Sequence, residues 1–412
     1  MSALKLPDVL ITDEISMAGS RDIYRILSAV DNKTKLILTG DKKQLPSISA
    51  GRIHDIIQKQ TRVKKVEMKQ LLRQKHGSNA QKVMTAFTKA EQDHKKNPVT
   101  EALREMKRQG NIHQISLTKD KIKTITEDAS QKIANGKSIA VLCNTVLSKD
   151  KINRSIRSNL IKTGILKQDS KSIKASVWRS VSLSALKKTS ADQYDKADKI
   201  IFTEPVGEFK QWSEYRIKDI NKNKNEIRLY TGENNRSVSV ENYGSCMQLV
   251  AQKSLDIQKG DRIVFLKNSQ DLNVKNGTTG SVTSVRDSGT VTVRTDDKNQ
   301  ISFNTKDKTS KNFYNHFDHG YALTVHKSQG GTYDEALVFN SSREKTTSNA
   351  AYVAITRAKT NVKIFTDNYD KLEQQTQNFY KKMTSQDRFE KKPEPSGSSV
   401  TNSSQVRQFF MG

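Results

Sequence analysis

Asp13 and Glu14 close the aliphatic run Val9-Leu10-Ile11-Thr12, and adjacent carboxylates at a strand end are what cleavage of a nucleotide phosphate requires. One carboxylate can hold the hydration shell of a magnesium ion. The other, one residue on, can orient or deprotonate the attacking water. A second polar cluster, Gly40-Asp41-Lys42-Lys43-Gln44, follows a second aliphatic run, Lys35-Leu36-Ile37-Leu38-Thr39. Gly40 is expected to let the chain turn tightly at the strand end, and Gln44 can hydrogen-bond a phosphate oxygen or a water without adding charge. Taken alone, an acidic strand end is equally well explained as a solvated turn. Two such clusters in this order and at this spacing point to a phosphate-cleaving rim.

Three more clusters lie downstream: Leu71-Leu72-Arg73-Gln74, then Thr324-Val325-His326-Lys327-Ser328-Gln329-Gly330-Gly331-Thr332, then Tyr352-Val353-Ala354-Ile355-Thr356-Arg357-Ala358-Lys359. Arg73 and Arg357 matter because a planar, permanently charged guanidinium fits phosphate oxygens; each could otherwise be an ordinary surface ion pair. Gly136-Lys137-Ser138 is misleading. A phosphate-binding loop needs a further glycine where Gln131 stands and must open a helix, whereas this tripeptide precedes a strand. His76, His94 and His113 lack ligand-like spacing and read as surface residues. Cys143 and Cys246 are too few for a zinc site or a disulfide framework and read as small core residues.

At 412 residues the chain has room for two or three domains, and its 71 Lys and Arg give a net charge of +27. An excess of this size points to a polyanion, most often nucleic acid, although a polybasic face also serves solubility. No signal-peptide-like stretch opens the chain and no run of 18 apolar residues occurs, so no membrane segment is expected and the expected location is the cytoplasm.

Elements must bring these clusters together. Residues 7–45 read as strand, helix (Asp22 to Val30) and strand, the two strands buried on both faces as in a parallel sheet. Residues 53–72 suggest a helix and a short strand, and Ser78 to Gly110 has helical spacing through Ala80, Val83, Met84, Phe87 and Ala90. A buried strand at Ile139–Asn144 leads into a basic helix from Lys149 to Ile161. From Ser172 to Lys308 the texture changes to short alternating strands with Asn-Gly and Asp-Ser-Gly turns, which suggests one or two small antiparallel barrels. Barrels of this size either grip single strands or only support their neighbours, and no aromatic-rich strand decides the matter. The α/β texture returns at Phe317, with a strand at Glu335–Phe339, a helix at Ser348–Ala358 and a closing strand at Val362–Thr366. A polar helix from Asp370 to about Glu390 and a disordered tail from Lys391 complete the chain.

Five clusters in this order resemble the motifs of superfamily-one DNA helicases, in the RecD-like branch and closest to the helicase part of TraI-type conjugative relaxases. The phrase Phe317-Asp318-His319-Gly320-Tyr321-Ala322, an inserted barrel over Leu266–Val285, and Asn153-Arg154-Ser155-Ile156-Arg157 after Asn144-Thr145 support the narrower likeness. The resemblance covers roughly residues 7–368. It implies an α/β fold of two RecA-like P-loop-NTPase-type domains, the first incomplete, with an inserted small SH3-like antiparallel β-barrel module. The implied boundaries are 1–95 for the first domain, 96–165 with 310–370 for the second, 166–309 for the insert, and 371–412 for the polar helix and tail. Implied roles follow the motifs. Asp13 holds magnesium through water, Glu14 activates the hydrolytic water and Gln44 senses the γ-phosphate. Arg73 and Arg357 neutralise the transferred phosphoryl, Gly40, Asp41, Gln329 and Gly330 line the nucleotide cleft, and Thr324, His326, Asn144 and Thr145 face single-stranded DNA.

One part of the pattern is missing. A helicase of this family carries a Gly-x-x-x-x-Gly-Lys-Thr loop on the strand beside the Asp-Glu strand, and no such loop occurs in these 412 residues. Loss of its lysine and backbone amides should sharply lower both ATP affinity and catalysis. The expectation is a chain inactive alone, with ATP and Mg2+ bound only when an upstream polypeptide supplies the loop, and with it a strand-nicking relaxase domain. The alternative is a remnant that binds single-stranded DNA without a motor. A further expectation is that residues 1–50 are poorly protected, because the Asp-Glu strand is left with an open edge.

Overall fold

The computed structural model describes residues 7–31, 33–47, 51, 53–60, 63–68, 72–93, 96–167, 171–181, 183, 185–232 and 234–379. The expected tail, Leu71 and His94 lie outside them, whereas the polar helix expected to run to about Glu390 ends at Gln375, capped at Thr376, with residues 377–379 already non-helical. The chain divides into two compact units, one within Met1–Val66 and the other spanning Glu67–Phe379.

The smaller unit begins with β1 (Val9–Thr12), α1 (Ser20–Ala29), β2 (Lys35–Leu38) and α2 (Ile53–Gln60). β1 and β2 pair in parallel from Val9 opposite Lys35 to Thr12 opposite Leu38, with α1 as the crossover that parallel pairing demands. The strands are not buried on both faces as expected. Val9 is 45% and Ile11 62% exposed, with Ile37 beside them, because the pair is a two-stranded sheet with one open face; the alternating Leu10, Leu36 and Leu38 are half-buried. Nor is there a strand among the described residues 63–68, where Val66 and Met68 are exposed.

The larger unit starts with α3 (Asn79–Gln92) and α4 (Pro98–Arg108). The expected single helical stretch is broken because Asn97 caps a new helix that starts with Pro98, its side chain accepting from the Thr100 amide at 2.9 Å. There follow β3 (Ile112–Gln114), α5 (Thr118–Ala134), β4 (Ile139–Cys143), α6 (Val146–Lys162), β5 (Ser172–Val181), α7 (Ala185–Lys188), β6 (Lys199–Phe202), β7 (Glu214–Asn221), β8 (Glu226–Tyr230), β9 (Asn235–Ser239), α8 (Val240–Tyr243) and β10 (Met247–Gln258). The chain continues through β11 (Arg262–Phe265), β12 (Thr279–Val285), β13 (Thr290–Thr295), β14 (Gln300–Asn304), β15 (Phe317–His319), β16 (Ala322–Thr324), β17 (Tyr333–Phe339), α9 (Ser348–Thr356), β18 (Ala358–Thr366) and α10 (Tyr369–Gln375).

Three sheets result. The parallel sheet runs β16-β4-β17-β18-β3, and its core takes in Val141, Cys143, Leu337 and Phe365 with Ile152 and Ile156 of α6. The antiparallel insert consists of a six-stranded sheet, β5-β10-β6-β7-β8-β9, and a five-stranded one, β14-β13-β12-β11-β15. One end of the β5–β10 pair packs with Phe265, Val291 and Phe303 of the five-stranded sheet in a small barrel core. The other end joins a second core with Phe202, Ile227 and Leu229. The fold class is therefore the expected one, α/β with an inserted antiparallel module.

The boundaries differ in two places. α3, expected to close the first domain at residue 95, packs against β18 and α4 and so goes with the larger unit. The antiparallel insert runs past residue 309, because Phe317, Asp318 and His319 pair with Phe265, Val264 and Ile263 of β11. The parallel sheet resumes only at Ala322.

Candidate nucleotide and nucleic-acid sites

In the smaller unit, Asp13 and Glu14 lie at the carboxyl end of β1, beside the carboxyl end of β2. Asp13 is exposed, and its Oδ1 accepts from Thr39 Oγ1 and from the Glu14 amide, both at 2.8 Å. Glu14 sits in the left-handed region at φ 51°, a conformation that non-glycine residues adopt only at a cost of about 1–3 kcal/mol. The next turn is tied across the strands: the Thr39 amide donates to Thr12 and the Ile15 amide to Thr39, both at 2.9 Å. Gly40 is needed for space rather than for turning, since a Cβ there would meet the Ser16 nitrogen at 3.0 Å. Asp41 accepts from the Lys43 amide at 2.9 Å, and the Gln44 amide returns to the Asp41 carbonyl at 3.2 Å. Asp13, Glu14, Gly40, Asp41 and Gln44 therefore share one rim.

These residues fit a hydrated magnesium ion. Both bonds to Asp13 fall on Oδ1, so Oδ2 faces solvent, and magnesium typically uses one or two carboxylates plus phosphate and water. Among the described residues no cluster of three or more His, Cys, Asp or Glu could cage a metal by itself.

In the larger unit a different set converges. Arg357, 1% exposed, is the C-cap of α9, just before β18. Its Nε donates to the Val353 carbonyl at 3.1 Å, Nη1 to the Gly331 carbonyl at 3.1 Å, and Nη2 to Thr356 Oγ1 at 3.2 Å. Residues 73–78 clamp the same stretch from the other side. Arg73 Nη1 donates to the Thr356 carbonyl at 3.1 Å, the buried Gln74 to Ala358 at 3.3 Å, and the Lys75 amide and Ser78 hydroxyl to Lys359 at 2.8 and 3.2 Å. Arg73, Arg357 and the Gln329-Gly330-Gly331 turn thus gather at the amino ends of β17 and β18.

Thr324, His326, Asn144 and Thr145 lie elsewhere, at the carboxyl ends of β16 and β4, which run parallel. Thr324 caps the turn 325–328 by accepting from the Lys327 amide at 3.4 Å. His326 reaches solvent, and partial desolvation lowers its pKa. Asn144 Nδ2 donates to Thr346 Oγ1 at 2.7 Å, and Thr145 Oγ1 donates to Glu344 at 2.8 Å. Both side chains thus hold the 341–346 loop in addition to lying at the rim.

The remaining sequence readings divide. Lys137 of the Gly-Lys-Ser turn pairs with Glu335 at 2.5 Å, and Ser138 takes its place in the β4–β17 pairing, so that turn is structural. Cys143 is buried, with its thiol pKa raised, and Cys246 is half-buried. His76 is exposed, but His113 is not a surface residue: its ring stacks on Phe365 at 4.8 Å, and burial lowers its pKa. Two clusters went unseen in the sequence. Asp318, buried, pairs with Lys149 at 2.7 Å and with Arg179. Asp261, buried, accepts from Arg157 Nε at 2.9 Å and from the Tyr321 hydroxyl at 2.8 Å. Their only sequence signal was a carboxylate at a short strand, Asp261 just before β11 and Asp318 inside β15.

Residues 1–117 match the family model AAA_30, described as an AAA domain, and residues 319–364 match the UvrD-like helicase C-terminal domain. The chain is 37% identical over 107 residues to the probable conjugal transfer protein TraA of Sinorhizobium fredii (strain NBRC 101917 / NGR234), and 38% identical over 109 residues to the conjugal transfer protein TraA of Rhizobium radiobacter. Each alignment takes in 26% of this chain and only 9% of the relative. Among solved structures, Pif1 helicase from Candida albicans aligns over 88% of this chain and 73% of its own at 16% identity, with a TM-score of 0.47. Pif1 helicase from Bacteroides in complex with ADP-AlF3 and ssDNA aligns over 89% and 72% at 18% identity, with a TM-score of 0.46. With an AAA and a helicase-type domain model matched at its two ends and a stretch shared with conjugal transfer proteins, the chain is similar to the superfamily-one helicases related to the conjugative relaxase-helicases.

Proposed function

We propose that the chain supplies the carboxylate and arginine parts of a cytoplasmic, ATP-driven motor that moves on single-stranded DNA in conjugative transfer. Its nucleotide site is completed by a phosphate-cradling segment outside these 412 residues, carried on a polypeptide that also bears the relaxase domain. Bound magnesium supplies the charge that screens the triphosphate. Asp13 would hold it, Glu14 would take the proton of the attacking water, and Gln44 would report the γ-phosphate. Gly40 and Asp41 shape that rim, and Gln329 and Gly330 line the nucleotide. Arg73 and Arg357 offset charge on the transferred phosphoryl. Thr324, His326, Asn144 and Thr145 meet the DNA.

The observation that carries this reading is the clamp of residues 73–78 on 356–359. It brings Arg73 and Arg357, far apart in the chain, to neighbouring groups of the Thr356–Arg357 peptide, an arrangement consistent with both acting on one anion. A second reading, binding of single-stranded DNA without hydrolysis, draws support from the missing glycine-lysine loop and from an Arg357 guanidinium engaged by protein acceptors. An ATPase assay with single-stranded DNA separates the two. Hydrolysis that appears only on mixing with a loop-bearing segment, and is lost in Arg73→Ala, supports the motor. DNA binding with no hydrolysis in any mixture leaves the second reading.

A further inference from the structure

The six-stranded sheet buries one face; its other face is exposed over β7 and β8, while on the same face Val250 of β10 is 7% exposed and Trp178 of β5 is half-buried. Val177, Leu249, Ile200, Ile227, Leu229 and Val238 lie on the core side. Strand alternation then places Trp178 of β5, Lys199 of β6, Arg216 of β7 and Arg228 with Tyr230 of β8 on the opposite side. The pairing register agrees: Val250 stands opposite both Ser180 and Lys199, Lys199 opposite Arg216, and Asp219 opposite Arg228. Each of the two aromatic rings carries a cation. Lys199 Nζ lies 3.9 Å from the centroid of Trp178, and Lys218 Nζ 5.6 Å from that of Tyr230. Tyr230 is 46% exposed, with no core to fill on that side.

Glu214, Asp219 and Glu226 share the face, but Glu214 is already taken up by Lys199 at 3.2 Å and Lys267 at 2.7 Å. What remains is a hydrogen-bonding surface, open over β7 and β8 and cationic on balance, with one ring exposed at Tyr230 and one half-buried at Trp178. From β5 to β8 is four strand steps, about 19 Å, a span suited to several nucleotides rather than one base. The sequence hid this because the two rings come from strands about fifty residues apart.

We propose that this face is a second binding surface for single-stranded DNA, distinct from the rim of Thr324 and His326. Bases stack on Tyr230 and Trp178, and Arg216, Lys218 and Arg228 meet the phosphates. Stacking suits a partner of any sequence, since every base has a flat face.

The chain contains two tryptophans, so Trp212→Phe leaves Trp178 as the sole indole. Titrating that full-length variant with an oligothymidylate of about 16 nucleotides is expected to quench its fluorescence to saturation. In the same background Tyr230→Ala weakens binding by about 5- to 100-fold while Tyr230→Phe retains it. The Lys218→Ala/Arg228→Ala pair lowers both affinity and its dependence on salt. The quench persists in Thr324→Ala/His326→Ala. Absence of quenching, or parental affinity in both Tyr230→Ala and the Lys218/Arg228 pair, overturns the proposal. If binding vanishes with the Thr324/His326 pair and no quench occurs, the rim reading stands and this one falls.

Discussion

His316 shows at the scale of one side chain how the insert holds its parts together. Burial and the charge of Lys267 push its imidazole down to about 4, and the attraction of Glu214 only partly offsets them. Since the folded value lies below the ordinary 6.5, the unfolded chain takes up the proton first. The resulting stabilisation is full above pH 6.5 and is lost progressively as the pH falls towards about 4. Urea midpoints are therefore expected to drop between pH 7 and pH 5, and His316→Gln to flatten that drop. An equal drop in the variant would remove His316 as its source. Asp318 and Asp261 work in the same region. Each is a buried carboxylate matched by cations or a hydroxyl from other elements, which is the condition for keeping a charge out of water. The phrase Phe317–Ala322 was legible as a signature of kinship. Its physical task was not, because Lys149, Arg179 and Asp261 lie 60 to 169 positions from the residues they meet.

At the scale of elements, α6 does what a further strand would do. β16 is an edge strand of the parallel sheet, and Asn153 reaches it from the helix: Nδ2 donates to the Ala322 carbonyl at 3.0 Å, and Oδ1 accepts from the Ala322 amide at 2.9 Å. A side-chain amide thus replaces one rung of a sheet where the chain must leave for the barrel. Asn153→Ala orphans both groups in a buried setting and should cost about 1–3 kcal/mol for each. Faster hydrogen exchange at Ala322, read beside a lowered thermal midpoint, checks this; unchanged exchange would show that the edge is satisfied otherwise. Gly320, two residues earlier, is fixed by crowding, since a Cβ would stand 2.8 Å from the Ile263 carbonyl group. Strands β4, β17 and β18 and helices α6 and α9 were readable from periodicity, whereas β3 and α5 were not read. The partners of β15 were not: Phe317-Asp318-His319 alternates no differently from a strand of the parallel sheet, and only the pairing with β11 assigns it.

Across the whole chain, the polar clusters were legible because each closes an aliphatic run, and aliphatic runs announce strands. The open face of β1 and β2 was not, since Val9-Leu10-Ile11 reads as buried whether or not anything covers it. One measurement follows from the open sheet. Amides of Leu10 and Ile11 are expected to exchange orders of magnitude faster than those of Val141 and Leu142 in the parallel sheet, and comparable protection would contradict the open edge. The parallel sheet has a consequence of another kind. α9 starts beside the loop gripped by Asn144 and ends on Arg357, and eight of its nine residues are buried. A packed rod about 14 Å long has no slack. A single buried helix therefore spans from the loop that Asn144 grips to the Arg357 guanidinium, joining the two rims of this sheet by continuous packing.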